Sequence, residues 1–200
     1  VIGLPIAYAL AFSQSRFKPF WEALLSMPLV LPPSVLGFYL LLTFSPQSGF
    51  GAWLLTNFDL RLSFTFLGIL LGSIIFSLPF MVQALQTGLQ NLPTDLRDAA
   101  YTLGQTKVQT LFKVLLPNMK SSILSGIVLS FAHTVGEFGV VLMIGGNIPG
   151  VTKVASIAIY DEVESLQYGA AHFYSLVLVV LSFLILTVVY IGKRRYPEKF

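Results

Sequence analysis

Five stretches of this chain are almost free of formal charge, and they decide what it can fold into. Val1 to Ser15, Ala23 to Phe58, Leu62 to Thr94 and Ser165 to Gly192 contain no Asp, Glu, Lys or Arg, and Ser121 to Thr152 contains only Glu137. About 20 apolar residues in a helix cross the hydrocarbon core of a bilayer. The pattern therefore predicts an all-α, polytopic membrane protein. Composition agrees: 55% of the 200 residues are hydrophobic and 10% charged, against roughly 25% charged in a soluble domain. Soluble enzymes and nucleic-acid readers are excluded on that ground. The absence of cysteine removes disulfides, thiolate metal sites and a Cys nucleophile.

The spans read as 1–12, 25–44, 64–85, 123–144 and 173–192, within one transmembrane domain covering 1–200. The first charge-free stretch would extend only about 22 Å, short of the roughly 30 Å of the hydrocarbon core. With Val at position 1, the chain is expected to begin inside its first span. It lacks the basic start and small-residue cleavage site of a signal peptide. Pro28, Pro32, Pro33 and Pro79 fall inside the spans, where each deletes a backbone donor and favours a kink or break.

Ten of the twelve basic residues fall on one side when the connections are taken alternately: Arg16, Lys18, Arg97, Lys107, Lys113, Lys120, Lys193, Arg194, Arg195 and Lys199. The positive-inside rule then places 13–24, 86–122 and the C-terminus in the cytoplasm, with 45–63 and 145–172 facing outward. The inner membrane of a prokaryote is the expected location.

Segment 86–122 is the longest inside connection and reads as two short helices. Asn91 or Thr94 can cap the first, Pro93 suits its first turn, and Asp95 and Asp98 lie near its positive end. Gly104 is expected to close it. A second amphipathic stretch puts Val108, Leu111, Phe112 and Leu115 on one side, until Pro117 ends it. A surface hairpin of this kind serves docking rather than chemistry.

The same residues resemble the EAA motif of ABC importer permeases: Glu-Ala-Ala, three residues, Gly, nine residues, then Ile, any residue, Leu, Pro. Here Asp98-Ala99-Ala100 is followed by Gly104 and by Val114, Leu115, Leu116 and Pro117, so every spacing is kept. Asp for Glu and Val for Ile are mild departures. The resemblance implies a type I ABC importer permease fold whose loop, through Asp98, Ala99, Ala100, Gly104, Leu116 and Pro117, couples to a cytoplasmic ATPase subunit. ATP and magnesium would be bound on that partner, and no cofactor by this chain. Small residues permit close approach of a partner, and Gly104 a tight turn.

A second constellation comprises Gly136-Glu137-Phe138-Gly139, Gly146-Asn147-Ile148-Pro149-Gly150 and Ala158-Ile159-Tyr160. It is similar to the molybdate branch of the oxyanion importer permeases, with sulfate permeases alike in its first part. Gly136, Glu137, Phe138, Gly139, Gly146, Asn147, Pro149 and Gly150 are thus family-motif or pathway candidates. A carboxylate inside a span is a functional candidate by default, yet a negative charge suits an anion pathway poorly. Glu137 is expected to accept hydrogen bonds from backbone amides or a neighbouring helix, with His133 one turn earlier as a possible partner. Two such groups without a third do not make a metal site.

The resemblance also implies an extracytoplasmic oxyanion-binding protein docking on 45–63 and 145–172, where Asp161, Glu162 and Glu164 could meet its basic groups. Five spans leave little room for an enclosed path, so a homodimer driven by two ATPase subunits is expected. Tungstate or sulfate transport is the alternative within the class. A proton-coupled transporter using Glu137 and His133 is the alternative outside it, and it leaves the 98–117 pattern unexplained. Residues 145–153 imitate a phosphate-binding P-loop, but Val151 stands where Lys is required and Lys153 comes too late. Neither Ser130 with His133 nor any other group forms an enzyme motif. Eight residues follow the last span, so the C-terminal regulatory domain of some relatives is not expected.

Overall fold

The computed structural model describes residues 2–194. Arg195 and Lys199, and the side chains of Lys193 and Arg194, lie outside the described residues. Among the described residues the chain is helical throughout: α1 (Gly3–Phe12), α2 (Lys18–Val30), α3 (Pro33–Phe44), α4 (Gly49–Phe58), α5 (Phe66–Asn91), α6 (Thr94–Thr102), α7 (Lys107–Thr110), a π-turn (Leu111–Leu115), α8 (Leu116–Asn118), α9 (Lys120–Val135), α10 (Gly139–Gly145), α11 (Ala155–Glu164) and α12 (Tyr168–Arg194).

Length and hydropathy let α5 and residues 168–192 of α12 cross a bilayer, and up to four segments qualify if each bent helix pair counts as one. The stretch read from the sequence as one span, 25–44, is two helices. The chain turns through 109° between α2 and α3, where Pro32 supplies no amide and Pro33 opens α3. Pro79, by contrast, is carried inside an unbroken α5. The stretch 123–144 is also interrupted, because α9 stops at Val135 and α10 starts at Gly139. Gly136 and Gly139 flank that break, and glycine is the poorest helix former after proline.

The chain divides into two compact units. Of the described residues, one holds 2–25, 78–131 and 186–194. Its core is Ala7 and Leu10 of α1, Val82, Leu85 and Leu89 of α5, and Leu92, Leu115 and Met119. Here α5 and α9 approach closely: a Cβ on Gly88 would lie 2.6 Å from Cβ of Ser122. Small residues at such contacts are how helices associate where hydrocarbon surrounds them.

The other unit holds 26–77 and 132–185. Its core is Phe44, Leu62, Ile69, Phe76, Val140, Val141, Ile144 and Ile157. α10 packs on α3 through Gly37, where a Cβ would lie 2.9 Å from Cα of Val140.

Candidate functional site

The coupling candidates form a helical hairpin in the first unit. α6 begins at Thr94 with Pro93 at its cap position and no side-chain capping bond. The expected caps are therefore corrected: Asn91 closes α5 and Thr94 is already helical. Pro93 disfavours helical geometry at Leu92, which separates the helices and leaves no capping role for either side chain. Asp95 sits in the first turn, where the helix dipole favours a negative charge.

Gly104 closes α6 with φ +77°. Its N–H donates to Tyr101 O at 2.9 Å and the Gln105 N–H donates to Ala100 O at 3.0 Å, the paired bonds of a Schellman ending. Thr106 and Gln109 then cap α7 reciprocally: Gln109 N–H donates to Thr106 Oγ1 and Thr106 N–H to Gln109 Oε1. Backbone bonds from local residues thus set the hairpin angle.

Pro117 does not end the second helix as expected. It lies within α8, preceded by the π-turn, in which Leu116 N–H reaches Leu111 O. Proline offers no N–H for an ordinary helical bond to Lys113, and the wider turn accommodates it. The side-chain amide of Asn118 donates to Val114 O at 2.7 Å. The expected apolar stripe is also split. Leu115 is buried and Leu111 packs on the core, whereas Val108 and Phe112 are 65% and 59% exposed. Leu103, at the end of α6, is 80% exposed as well. Asp98, Ala99, Gly104 and Pro117 are exposed too, Leu116 is half-buried, and Ala100 is buried.

The hairpin is held to α1. The Arg97 guanidinium carbon lies 5.0 Å over the Phe12 ring, and Phe12 meets Tyr8 edge-on at 4.9 Å. A cavity of about 180 Å3 beside this cluster is lined by Phe12, Leu89, Pro93, Arg97 and Leu115, among others.

The pathway candidates lie in the second unit. Glu137 is buried in the break between α9 and α10, and its Oε1 accepts from Val140 N–H at 2.6 Å. Its backbone carbonyl accepts from Ser156 Oγ at 2.7 Å. The carboxylate therefore satisfies an orphan amide at the start of α10. α9 stops at Val135, so His133 and Glu137 do not share one continuous helix, and the His133 ring stacks on Phe76, ring centroids 4.5 Å apart. His133, Glu137, Phe76, Gly136, Gly139 and Met143 face an open cavity of about 530 Å3.

Gly146, Asn147 and Gly150 all have positive φ, at 66°, 54° and 73°. They build a corner after α10 that Thr152 clamps: its hydroxyl accepts from Ile148 N–H at 2.9 Å and donates to Gly145 O at 2.7 Å. A Cβ on Gly146 would come within 2.6 Å of the Phe64 ring. Asn147 Nδ2 donates to both Asp161 oxygens at 3.0 Å, and Lys153 pairs with the same carboxylate. Lys153 and the Asn147 amide hold the Asp161 carboxyl below its usual range, and Asp161 raises the Lys153 ammonium. Asp161 thus has a basic partner within its own chain.

The family model described as "binding-protein-dependent transport system inner membrane component" matches residues 3–196. The chain belongs to this family of ABC transporter permeases. Among similar proteins is the molybdenum transport system permease protein ModB of Azotobacter vinelandii, 44% identical over 196 residues that cover 97% of this chain and 86% of the relative. The sulfate transport system permease protein CysT of Escherichia coli is 36% identical over 186 residues, 93% of this chain and 67% of the relative. A probable transport system permease protein, NifC of Clostridium pasteurianum, is 30% identical over 195 residues.

Within this ABC permease, several positioning residues escaped sequence reasoning. Thr106 and Gln109 carried a readable signal, the Thr-x-x-Gln spacing of a capping box. Thr152, Lys153 and Arg97 carried none, because their partners are set by tertiary packing.

Proposed function

We propose that this chain is the membrane-spanning subunit of an ATP-driven importer of molybdate. The observation that carries the reading is the 44% identity over 86% of a molybdenum transport permease, above the 36% to a sulfate permease. In this reading the protein is a homodimer with its C-terminus and the 94–118 hairpin in the cytoplasm. Two ATPase subunits bind and hydrolyse ATP with magnesium, and this chain performs no chemistry itself.

The exposure of Leu103, Val108 and Phe112, with that of Ala99 and Gly104 in the same hairpin, supports the docking role. These residues are apolar where the surrounding hairpin carries Lys107 and Lys113, and burial of exposed apolar area drives association. An extracytoplasmic oxyanion-binding protein delivers the ion on the opposite side. The spans contain no Lys or Arg, so hydroxyls and backbone amides lower the barrier without trapping a dianion.

Purification from the native membrane in mild detergent tests the assembly, and uptake into vesicles of the reconstituted complex tests the cargo. The expected outcome is an ATPase at equal stoichiometry and ATP-dependent molybdate uptake that excess sulfate does not suppress. Sulfate or tungstate preferred over molybdate would replace the cargo. Uptake by a lone oligomer driven by a pH gradient would overturn the importer reading.

A further inference from the structure

The helix α4 has no place in the coupling or pathway readings. Its ten residues, GFGAWLLTNF, include no charge. Phe50, Trp53 and Phe58 are 47%, 52% and 59% exposed, while Leu54 packs inward on the core. The exposed rings form one slab along the helix: Trp53 stacks on Phe50 at 6.4 Å and meets Phe58 edge-on at 5.3 Å. At 1.5 Å per residue the helix is about 15 Å long, half of what a crossing needs.

Its polar groups are turned inward. Ser48 Oγ caps the start by accepting from Gly51 N–H at 2.9 Å. Asp59, at φ 51°, closes the end with its N–H on Leu55 O. The two polar side chains of the helix return to its own carbonyls, Thr56 Oγ1 to Ala52 O and Asn57 Nδ2 to Trp53 O, both at 2.8 Å. Internal satisfaction of every polar group is what lipid demands of a backbone. A protein partner would instead require about one hydrogen bond per 100–200 Å2 of contact to fix its register, and this face offers little beyond the Trp53 indole N–H and the rest of the Asn57 amide, whereas an indole with an apolar body and one polar N–H suits the headgroup boundary.

We infer that α4 is an interfacial helix, its Phe50, Trp53 and Phe58 face seated among the headgroups and upper acyl carbons of the bilayer. Tryptophan with flanking Phe and Leu is the side-chain set that occupies this depth. Asp59 and Arg61 mark where the chain returns to water. The inference rests on membership of an inner-membrane family and not on the transported ion, so a wrong cargo leaves it standing.

The chain contains two tryptophans, Trp21 and Trp53, which makes the test direct. The emission of the Trp21→Phe permease, assembled with its ATPase in phosphatidylcholine vesicles, less that of the same assembly carrying Trp53→Phe as well, reports on Trp53 alone. Lipids brominated near the headgroup end of the acyl chain are expected to quench most of its emission, lipids brominated near the chain terminus less, and aqueous iodide little. If Trp21→Phe does not assemble, the same quenching is read as the difference between the wild type and Trp53→Phe. Strong iodide quenching with no response to bromine would overturn the inference. So would shielding from both, in which protein rather than lipid covers Trp53: a second copy, or the binding protein if shielding appears only on its addition.

Discussion

The guanidinium of Arg97 covers the ring of Phe12, tying the 94–118 hairpin to the first helix. A cation over an aromatic face contributes about 1 kcal/mol when partly exposed, enough to orient α6 without locking it. Phe12 in turn meets Tyr8 edge-on, which fixes the ring that Arg97 covers. Arg97→Ala should insert and assemble normally yet lower molybdate uptake per ATP hydrolysed several-fold, with Arg97→Lys in between. Parallel assays of hydrolysis and uptake check this, and an unchanged ratio counts against the tie.

Gly104 tests the hairpin turn. A Cβ there would meet no atom within 4 Å, so the cost of substitution is conformational, about 1–2 kcal/mol for a side chain at positive φ. Gly104→Leu should uncouple hydrolysis from uptake or prevent ATPase binding while leaving membrane insertion intact. Gly104→Asn, which tolerates the left-handed region better, should retain most activity. Co-purification of the ATPase with each variant separates these outcomes.

For Glu137 the expected effect is on folding. Glu137→Ala leaves the Val140 amide without its acceptor, and an unsatisfied buried donor costs about 1–3 kcal/mol. Its melting temperature in detergent should fall, while the concentration of molybdate giving half-maximal uptake stays near the wild-type value. Glu137→Gln keeps an acceptor oxygen and should lose less. A stable variant with altered oxyanion preference would move Glu137 into the pathway.

The corner at 147–161 has a defined pH window. Asp161 is depressed, so its contribution is complete above the ordinary carboxylate value, about 3.9, and is lost as pH falls through its lower folded value. Lys153 is raised, so its contribution is complete below about 10.4 and is lost as pH climbs through its higher folded value. Amide protection factors of residues 146–165, in which the intrinsic pH dependence of exchange is divided out, should therefore be flat across neutral pH and fall only in strong acid or strong base. Asp161→Asn should lower these protection factors at neutral pH and remove the acid-side change.

What could be read in advance follows the range of the forces involved. Charge-free stretches report the solvent, and a bilayer leaves a chain few alternatives to helix, so the class was plain. Gly104 and the hairpin were legible because a turn is written in adjacent residues. Pro117 misled because proline was taken as a stop, whereas a π-turn can absorb the missing donor. The break at 136–138 was hidden for a related reason: hydropathy continues through it, and only the paired glycines hinted that the backbone would not. Asn147 finds Asp161, and Arg97 finds Phe12, only once helices have packed, and no local pattern announces such meetings.

The bonds around Gly104 and Thr106 make the 94–118 hairpin a finished shape before any partner arrives. A surface proposed to dock a partner gains from this, since little disorder is quenched when the partner binds. Preorganisation of that kind lets a partner's movement reach the helices behind the hairpin instead of being spent on ordering it.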